Sequence, residues 1–319
     1  MPQSRAIVFL GPKQVEVLPV EIPAPGPGQL LVRTELSQIS AGTEMRCLRG
    51  DQPGLTNWGF IPGYIATGEV VAVGPDCHTP IGTRVTHGGT VASDRPRLWG
   101  GQSGLALVTE KDAVSTGSVA LDRIGICHLG AIARRGVLAC GNVEGQRVAV
   151  IGLGPIGQWS ARLFAAAGAQ VTGCDLDPRR RSALERDGIS TQIDPDPDFE
   201  IVVEATGNPA GPRWALEWLR PVGWDAVPAP GARQIVIQAS YPGDFALPYQ
   251  EAFSFEARIH LPRHRTNEDL RAVMDWVGKE RVATEGIAPT VFPVEEAPGV
   301  YRRLLEGDPE LLSVAFDWR

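Results

Sequence analysis

The stretch Val148-Ala149-Val150-Ile151-Gly152-Leu153-Gly154-Pro155-Ile156-Gly157 decides how the second half of this chain folds. A short apolar run, residues 147–151, leads straight into a GxGxxG pattern, and a helix-forming segment follows over 156–167. That helix is expected to stop at Gly168, a residue suited to a C-terminal cap. An unbroken apolar run of this length suits a parallel strand buried on both faces. Each glycine of the pattern has a mechanical task. Gly152 permits the tight turn, Gly154 lets a pyrophosphate approach the backbone, and Gly157 lets the helix lie close to the strand. Pro155 falls in the first helical turn, where its missing N–H costs little. The helix start offers free N–H groups and a partial positive charge to phosphate. Gly152, Gly154, Pro155, Ile156 and Gly157 are therefore the candidate pyrophosphate contacts.

Working outward, further strands are expected over 170–174, 201–204 and 234–239, with a helix over 214–219. Strand and helix alternating at this spacing imply a parallel, doubly wound sheet with crossover helices on both faces. Asp175 ends the strand after the glycine loop, about 20 residues on, where a carboxylate binds the adenosine ribose of a dinucleotide. It accepts from a 2′-hydroxyl and repels a 2′-phosphate, and Asp177 adds to the repulsion. The run Arg179-Arg180-Arg181 pulls the other way, since guanidinium groups clamp phosphate. The balance favours NAD(H) over NADP(H).

Residues 1–118 read differently. Short β-branched runs at 6–10, 15–18, 30–36, 68–73, 83–86 and 105–108 recur between Gly and Pro punctuation, as in a small barrel-like sheet domain. A helix is expected over 124–140. Amphipathic helices are expected over 267–277 and 298–305, in a tail that returns to the first domain. A chain of 319 residues exceeds what one core usually holds. The division expected is 1–120 with 263–319 as one domain and 121–262 as the other.

The net charge of -7 argues against nucleic acid or an anionic membrane as a partner, because phosphate binding needs a basic surface. No run approaches the ~20 apolar residues of a membrane span. The N-terminal run 6–10 is too short for the apolar region of a signal peptide. Cys47, Cys77, Cys127, Cys140 and Cys174 are scattered, odd in number and without a CxxC pair. A reducing, cytoplasmic setting is expected.

The first domain carries a resemblance. Ile39-Ser40-Ala41-Gly42-Thr43-Glu44 is similar to the Cys-Gly-Thr-Asp segment of medium-chain dehydrogenases/reductases. Pro62-Gly63-Tyr64-Ile65-Ala66-Thr67-Gly68-Glu69-Val70 resembles that family's Pro-Gly-His-Glu-x-x-Gly-x-Val, and Gly82-Thr83-Arg84-Val85 its Gly-Asp-Arg-Val. Gly100-Gly101-Gln102 and Glu204-Ala205-Thr206-Gly207 match later segments, in the family's order. The resemblance implies an α/β chain with a GroES-like β-rich catalytic domain and a Rossmann domain. It implies an NAD(P)-dependent oxidoreductase acting on a small-molecule alcohol or ketone, as a homodimer. Thr43 falls at the family's proton-relay hydroxyl and Arg180 beside the adenosine ribose. Thr206 and Gly207 fall beside the nicotinamide ribose, and Ser240 and Tyr241 near the carboxamide.

The departures from the family are informative. Ala41 stands where zinc-dependent members have the first ligand, Cys, and Tyr64 where they have the second, His. Residues 86–104 contain no cysteine, so the four-cysteine structural zinc loop is absent. Catalytic zinc needs three protein ligands, and adjacent Cys127 and His128 rarely serve alone. No zinc is expected, and the chain resembles a zinc-lacking branch. Without the metal, side chains must stabilise charge on the substrate oxygen. Tyr64 can polarise a carbonyl or shuttle a proton, or simply fill the vacated space. His87 is a further candidate base, Arg46 and Arg49 candidate anion contacts, and Trp58 and Trp99 candidate pocket walls. Residues 222–230 resemble an insertion. Two other readings stay open: an NADPH-dependent enoyl or quinone reductase, and a non-catalytic dinucleotide-binding sensor.

Overall fold

The computed structural model describes residues 3–319 apart from Thr56, Pro195, Trp224, Asp225, Val227, Pro228, Pro230 and Pro242. Most of the 222–230 stretch read as an insertion therefore lies outside the described residues. The chain divides into two compact units, residues 1–126 with 288–319, and residues 127–287.

The first unit opens with β1 (Gln3–Gly11) and β2 (Gln14–Glu21), an antiparallel hairpin. Ala6 to Phe9 are all fully buried, so both faces of β1 are covered. After the Pro23, Pro25, Pro27 loop comes β3 (Gln29–Gln38), then a helix, α1 (Ala41–Arg49). Its C-cap, Gly50, adopts a left-handed conformation at φ 90° and donates to the carbonyl of Cys47. Strands β4 (Ala66–Val73), β5 (Arg84–His87), β6 (Leu105–Thr109) and β7 (Val114–Ser115) follow. The long helix α2 (Leu121–Cys140) begins in this unit and runs on into the second.

The second unit alternates strand and helix: β8 (Arg147–Ile151), α3 (Pro155–Ala166), β9 (Gln170–Cys174), α4 (Pro178–Glu185), β10 (Ser190–Gln192), β11 (Ile201–Glu204), α5 (Gly211–Glu217) and β12 (Gln234–Ile237). Helix α6 (Tyr249–Ser254), strand β13 (Arg258–His260) and helix α7 (Asn267–Gly278) complete it. The strands pair in parallel in the order β10-β9-β8-β11-β12-β13. Apolar side chains line both faces. Val148, Val150, Phe164 and Val203 belong to one cluster, and Ala149, Val202, Leu216 and Ile235 to another. This is the doubly wound sheet expected from the sequence.

The chain then returns to the first unit with β14 (Thr290–Pro293), α8 (Ala297–Leu305) and β15 (Val314–Asp317). The larger sheet there runs β14-β15-β3-β4-β5-β7, with β6 also paired to β3. Its core joins Phe9, Phe60, Tyr301 and Phe316. Edge-on ring packing brings Phe9 to 5.6 Å from Phe60 and 5.1 Å from Tyr301.

Helix α7 departs from expectation. Its amphipathic pattern suggested a place with the tail, but it belongs to the second unit. Thr266 and Asp269 form a capping box at its start, and the buried Asp269 carboxylate pairs with Arg134 of α2 at 2.5 Å. The return comes at residue 288, later than the expected 263.

Candidate active site

In the second unit the candidate dinucleotide loop lies at the C-terminal end of β8. Gly152 sits at φ 85° and donates to the carbonyl of Cys174 at 2.8 Å. A Cβ there would meet Thr206 at 2.8 Å. On Gly157 it would lie 1.8 Å from the Gly152 carbonyl oxygen, so a side chain is excluded where α3 crosses the loop. Gly154, the N-cap of α3, differs, for a Cβ there would meet nothing within 4 Å. Packing demands glycine at the two outer positions and leaves open space at the middle one. Pro155 occupies the first helical turn.

Asp175 follows β9, and its carboxylate is already engaged. One oxygen accepts from the N–H of Leu153 at 2.7 Å and the other from that of Asp177 at 2.8 Å. Arg180 approaches it at 3.4 Å. The arginine run is bound locally as well. Arg179 pairs with Asp177 at 3.1 Å. Arg181 donates to the carbonyls of Asp175 and Leu176. The Arg179 hydrogen bond holds the Asp177 carboxyl below the usual range. All three guanidinium groups thus serve the turn between β9 and α4.

Thr206 and Gly207 lie beyond β11, and Ser240 and Tyr241 beyond its neighbour β12. The two segments meet through a residue to which the sequence reading gave no role. Glu204, fully buried, ends the apolar strand Ile201–Glu204. Its Oε1 accepts from the Thr206 N–H at 2.7 Å and from the Thr206 hydroxyl, and its Oε2 accepts from the Tyr241 hydroxyl. Burial and this carboxylate push the Tyr241 phenol well above its usual range, so it stays a donor. The available signal was a carboxylate closing a strand otherwise buried and apolar, a position tolerated only with partners.

In the first unit three sequence segments converge. Gly101 donates to the Gly63 carbonyl at 2.6 Å and Gln102 to the Pro62 carbonyl at 3.0 Å. A Cβ on Gly63 would strike the Gln102 side chain at 2.6 Å. Gln102 in turn donates to the Glu44 carboxylate at 3.2 Å. Tyr64 is half-buried, with its hydroxyl 2.6 Å from Ser40 Oγ and its ring 5.5 Å from Trp99, edge to face. Trp99 holds φ 71°, a conformation costly for a tryptophan. Thr43 lies part-buried on the first turn of α1. Ala41 packs at the margin of the apolar core.

His87 is misread by the sequence as a loop base. It is the last residue of β5, fully buried, with Nδ1 accepting from the Gly89 N–H at 3.1 Å. Among the described residues its buried Nε2 has no hydrogen-bond partner. Burial pushes the imidazole down to about 4, so it is neutral and cut off from solvent. Arg46 binds Gln52 at 2.8 Å, Trp58 stacks on Phe60, and Arg49 is exposed.

No protein-family model matches the chain. Over 99% of both chains it is 27% identical to the 2-desacetyl-2-hydroxyethyl bacteriochlorophyllide A dehydrogenase of Cereibacter sphaeroides. It is 21% identical over 98% of both chains to L-galactonate-5-dehydrogenase of Escherichia coli. An alcohol dehydrogenase from E. coli CFT073, solved with NADH, superposes with a TM-score of 0.84 at 19% identity over 99% of both chains. Acetophenone reductase from Geotrichum candidum, solved with NAD, gives 0.82 at 18% identity over 99% of this chain and 98% of its own. The chain is thus similar over its whole length to named dehydrogenases and shares the fold of solved alcohol dehydrogenases.

Two of the positions where zinc-dependent medium-chain dehydrogenases bind their metal carry Ala41 and Tyr64, neither of them a good zinc donor. Among the described residues no three His, Cys, Asp or Glu side chains converge as a metal site. The donor set does not fit zinc. The dinucleotide loop does fit its cofactor, because the space over Gly154 is open and the start of α3 faces it with unbonded N–H groups.

Proposed function

We propose that this protein is a zinc-independent oxidoreductase. It interconverts a secondary alcohol and its ketone on a small or medium-sized metabolite, using NAD(H) in preference to NADP(H). The open glycine at position 154, between two glycines that packing requires, is the observation that carries the cofactor reading. Whole-chain similarity to named alcohol and sugar-acid dehydrogenases supports the reaction class.

Gly152, Gly154, Pro155, Ile156 and Gly157 would hold the pyrophosphate, and Asp175 with Arg180 the adenosine ribose. Thr206 and Gly207 would lie beside the nicotinamide ribose, with Ser240 and Tyr241 at the carboxamide, and Glu204 fixes Thr206 and Tyr241. The bound nicotinamide ring supplies or accepts the hydride. Tyr64 and Thr43 handle the hydroxyl proton, and Tyr64 donates to the substrate oxygen where a metal would otherwise polarise it. Asp175 supports NAD(H), and the local engagement of Arg179, Arg180 and Arg181 leaves them poorly placed to clamp a 2′-phosphate.

A homodimer belongs to this reading. Strand β13 forms an edge of the parallel sheet and leaves Ile259 and Leu261 exposed, a surface that invites pairing. Five free cysteines fit a cytoplasmic setting. No helix among the described residues is long and apolar enough to cross a membrane.

Titration of metal-stripped protein with NADH and NADPH, followed by nicotinamide fluorescence, tests the cofactor assignment. Tighter binding of NADH supports it. Preference for NADPH would contradict the role given to Asp175.

A further inference from the structure

Ser40 stands at the N-cap of α1, where a serine hydroxyl ordinarily accepts from an N–H of the first turn. It makes no such bond here. Its Oγ is turned instead to the hydroxyl of Tyr64, 2.6 Å away. The Ser40 backbone is gripped at both ends by one residue. Its carbonyl accepts from the Glu44 N–H at 2.8 Å, and its N–H donates to Glu44 Oε1 at 2.9 Å.

Glu44 is fully buried. Its second oxygen accepts from the Tyr301 hydroxyl at 2.5 Å and from Gln102 at 3.2 Å. Gln102 is pinned by Ser37 at 2.5 Å, and Ser37 accepts from the Trp318 indole at 2.8 Å. A carboxyl group in this position is expensive unless its partners are fixed, and here they are. A cap that forgoes its own helix to serve another side chain is the kind of local rule-breaking expected at a functional site.

We propose that Glu44 is a positioning residue for the Tyr64 phenol and acts through Ser40. Loss or gain of a proton on its carboxyl group tightens or slackens the grip on Ser40 and so resets the hydroxyl–phenol hydrogen bond. The functional meaning rests on the reading in which Tyr64 meets the substrate oxygen, whereas the coupling itself does not. Burial pushes the Glu44 carboxyl up to about 7. Among the described residues its partners are Ser40, Gln102 and, from α8, Tyr301, all neutral donors. Cys47 of the same helix is a neutral thiol, raised to about 12 by burial, and Tyr301 is raised well above its usual range.

The chain has 4 tyrosines, so the whole protein labelled with 13Cζ-tyrosine gives resonances that Tyr241→Phe and Tyr249→Phe help assign. The Tyr301 and Tyr64 resonances should titrate together, with one midpoint near the Glu44 value of about 7. Glu44→Gln should flatten both. Ser40→Ala should flatten Tyr64 alone, which keeps the test open if the glutamine variant fails to fold. A Tyr64 resonance that is flat in the wild type, or that still titrates in Ser40→Ala, overturns the proposal. Tyr64→Phe assayed for acetophenone reduction separates the two ideas. Full turnover there would sink the reading of Tyr64, whereas the titration alone decides the coupling.

Discussion

The hydroxyl of Ser40 lies 2.6 Å from that of Tyr64, at the position where zinc-dependent relatives hold a histidine ligand. In the proposed reaction this pair of hydroxyl groups polarises the substrate oxygen in place of a metal. Tyr64→Phe removes the phenol and leaves the ring against Trp99. Turnover should fall about 100-fold, in the range set by positioned acid–base groups. NADH affinity, measured by fluorescence titration, should change less than about twofold. An equal loss of cofactor binding would point to a structural role instead.

The three glycines of the dinucleotide loop should respond differently to alanine. Gly154→Ala adds a Cβ into open space, so the melting temperature should hold while NADH binding weakens about tenfold or more. Gly157→Ala forces a Cβ to 1.8 Å from the Gly152 carbonyl and should destabilise the fold by about 3 kcal/mol. Urea denaturation beside ligand titration separates the two effects.

Glu204 ties the segment after β11 to that after β12. Glu204→Ala leaves the Tyr241 and Thr206 hydroxyls without their acceptor. A loss of about 1–3 kcal/mol of stability is expected, together with weaker NADH binding. Glu204→Gln keeps an acceptor and should be milder in both assays. Unchanged NADH affinity in the alanine variant would remove Glu204 from the cofactor's support.

Two buried groups make stability depend on pH in opposite senses. Native Glu44 holds a proton between 4.5 and about 7 that the unfolded chain has released. Stability from this group is therefore lost as pH rises through that window. Native His87 refuses a proton between 6.5 and about 4 that the unfolded chain accepts, so its effect is lost stability as pH falls. Each amounts to about 3 kcal/mol, and they oppose each other near pH 5 to 6. Glu44→Gln should flatten the neutral side of the stability profile. His87→Gln, which can still accept from Gly89, should flatten the acid side. Denaturant midpoints across pH 4 to 8 check both.

Much of the parallel sheet was legible in the sequence. The runs 147–151, 170–174 and 201–204 coincide with β8, β9 and β11; β8 and β11 are buried and largely apolar, whereas β9, with Gln170 exposed and Thr172 half-buried, is placed by its position after Gly168. Helix α1 was not legible, since Gly42 and Thr43 in its first turn are poor helix formers and its stability comes from burying Met45, Cys47 and Leu48. The periodicity of 267–277 marks helix α7 correctly but not its unit, which is the second. Periodicity reports that a face is buried and cannot say against what, and the Asp269–Arg134 pair is a long-range fact. At the site, the glycine loop was readable because backbone geometry dictates residue type. The network of Glu44, Gln102 and Tyr301 was not, because its members are far apart in sequence and each is unremarkable alone. His87 misled for the converse reason. A histidine after a short strand looks exposed until the sheet closes over it.

Zinc independence is tested most directly by NADH consumption with a panel of methyl ketones, acetophenone among them, by protein exhaustively dialysed against a chelator. Turnover should survive metal removal, should not rise with added zinc, and should collapse in Tyr64→Phe. Turnover that vanishes on chelation and returns with zinc would contradict zinc independence.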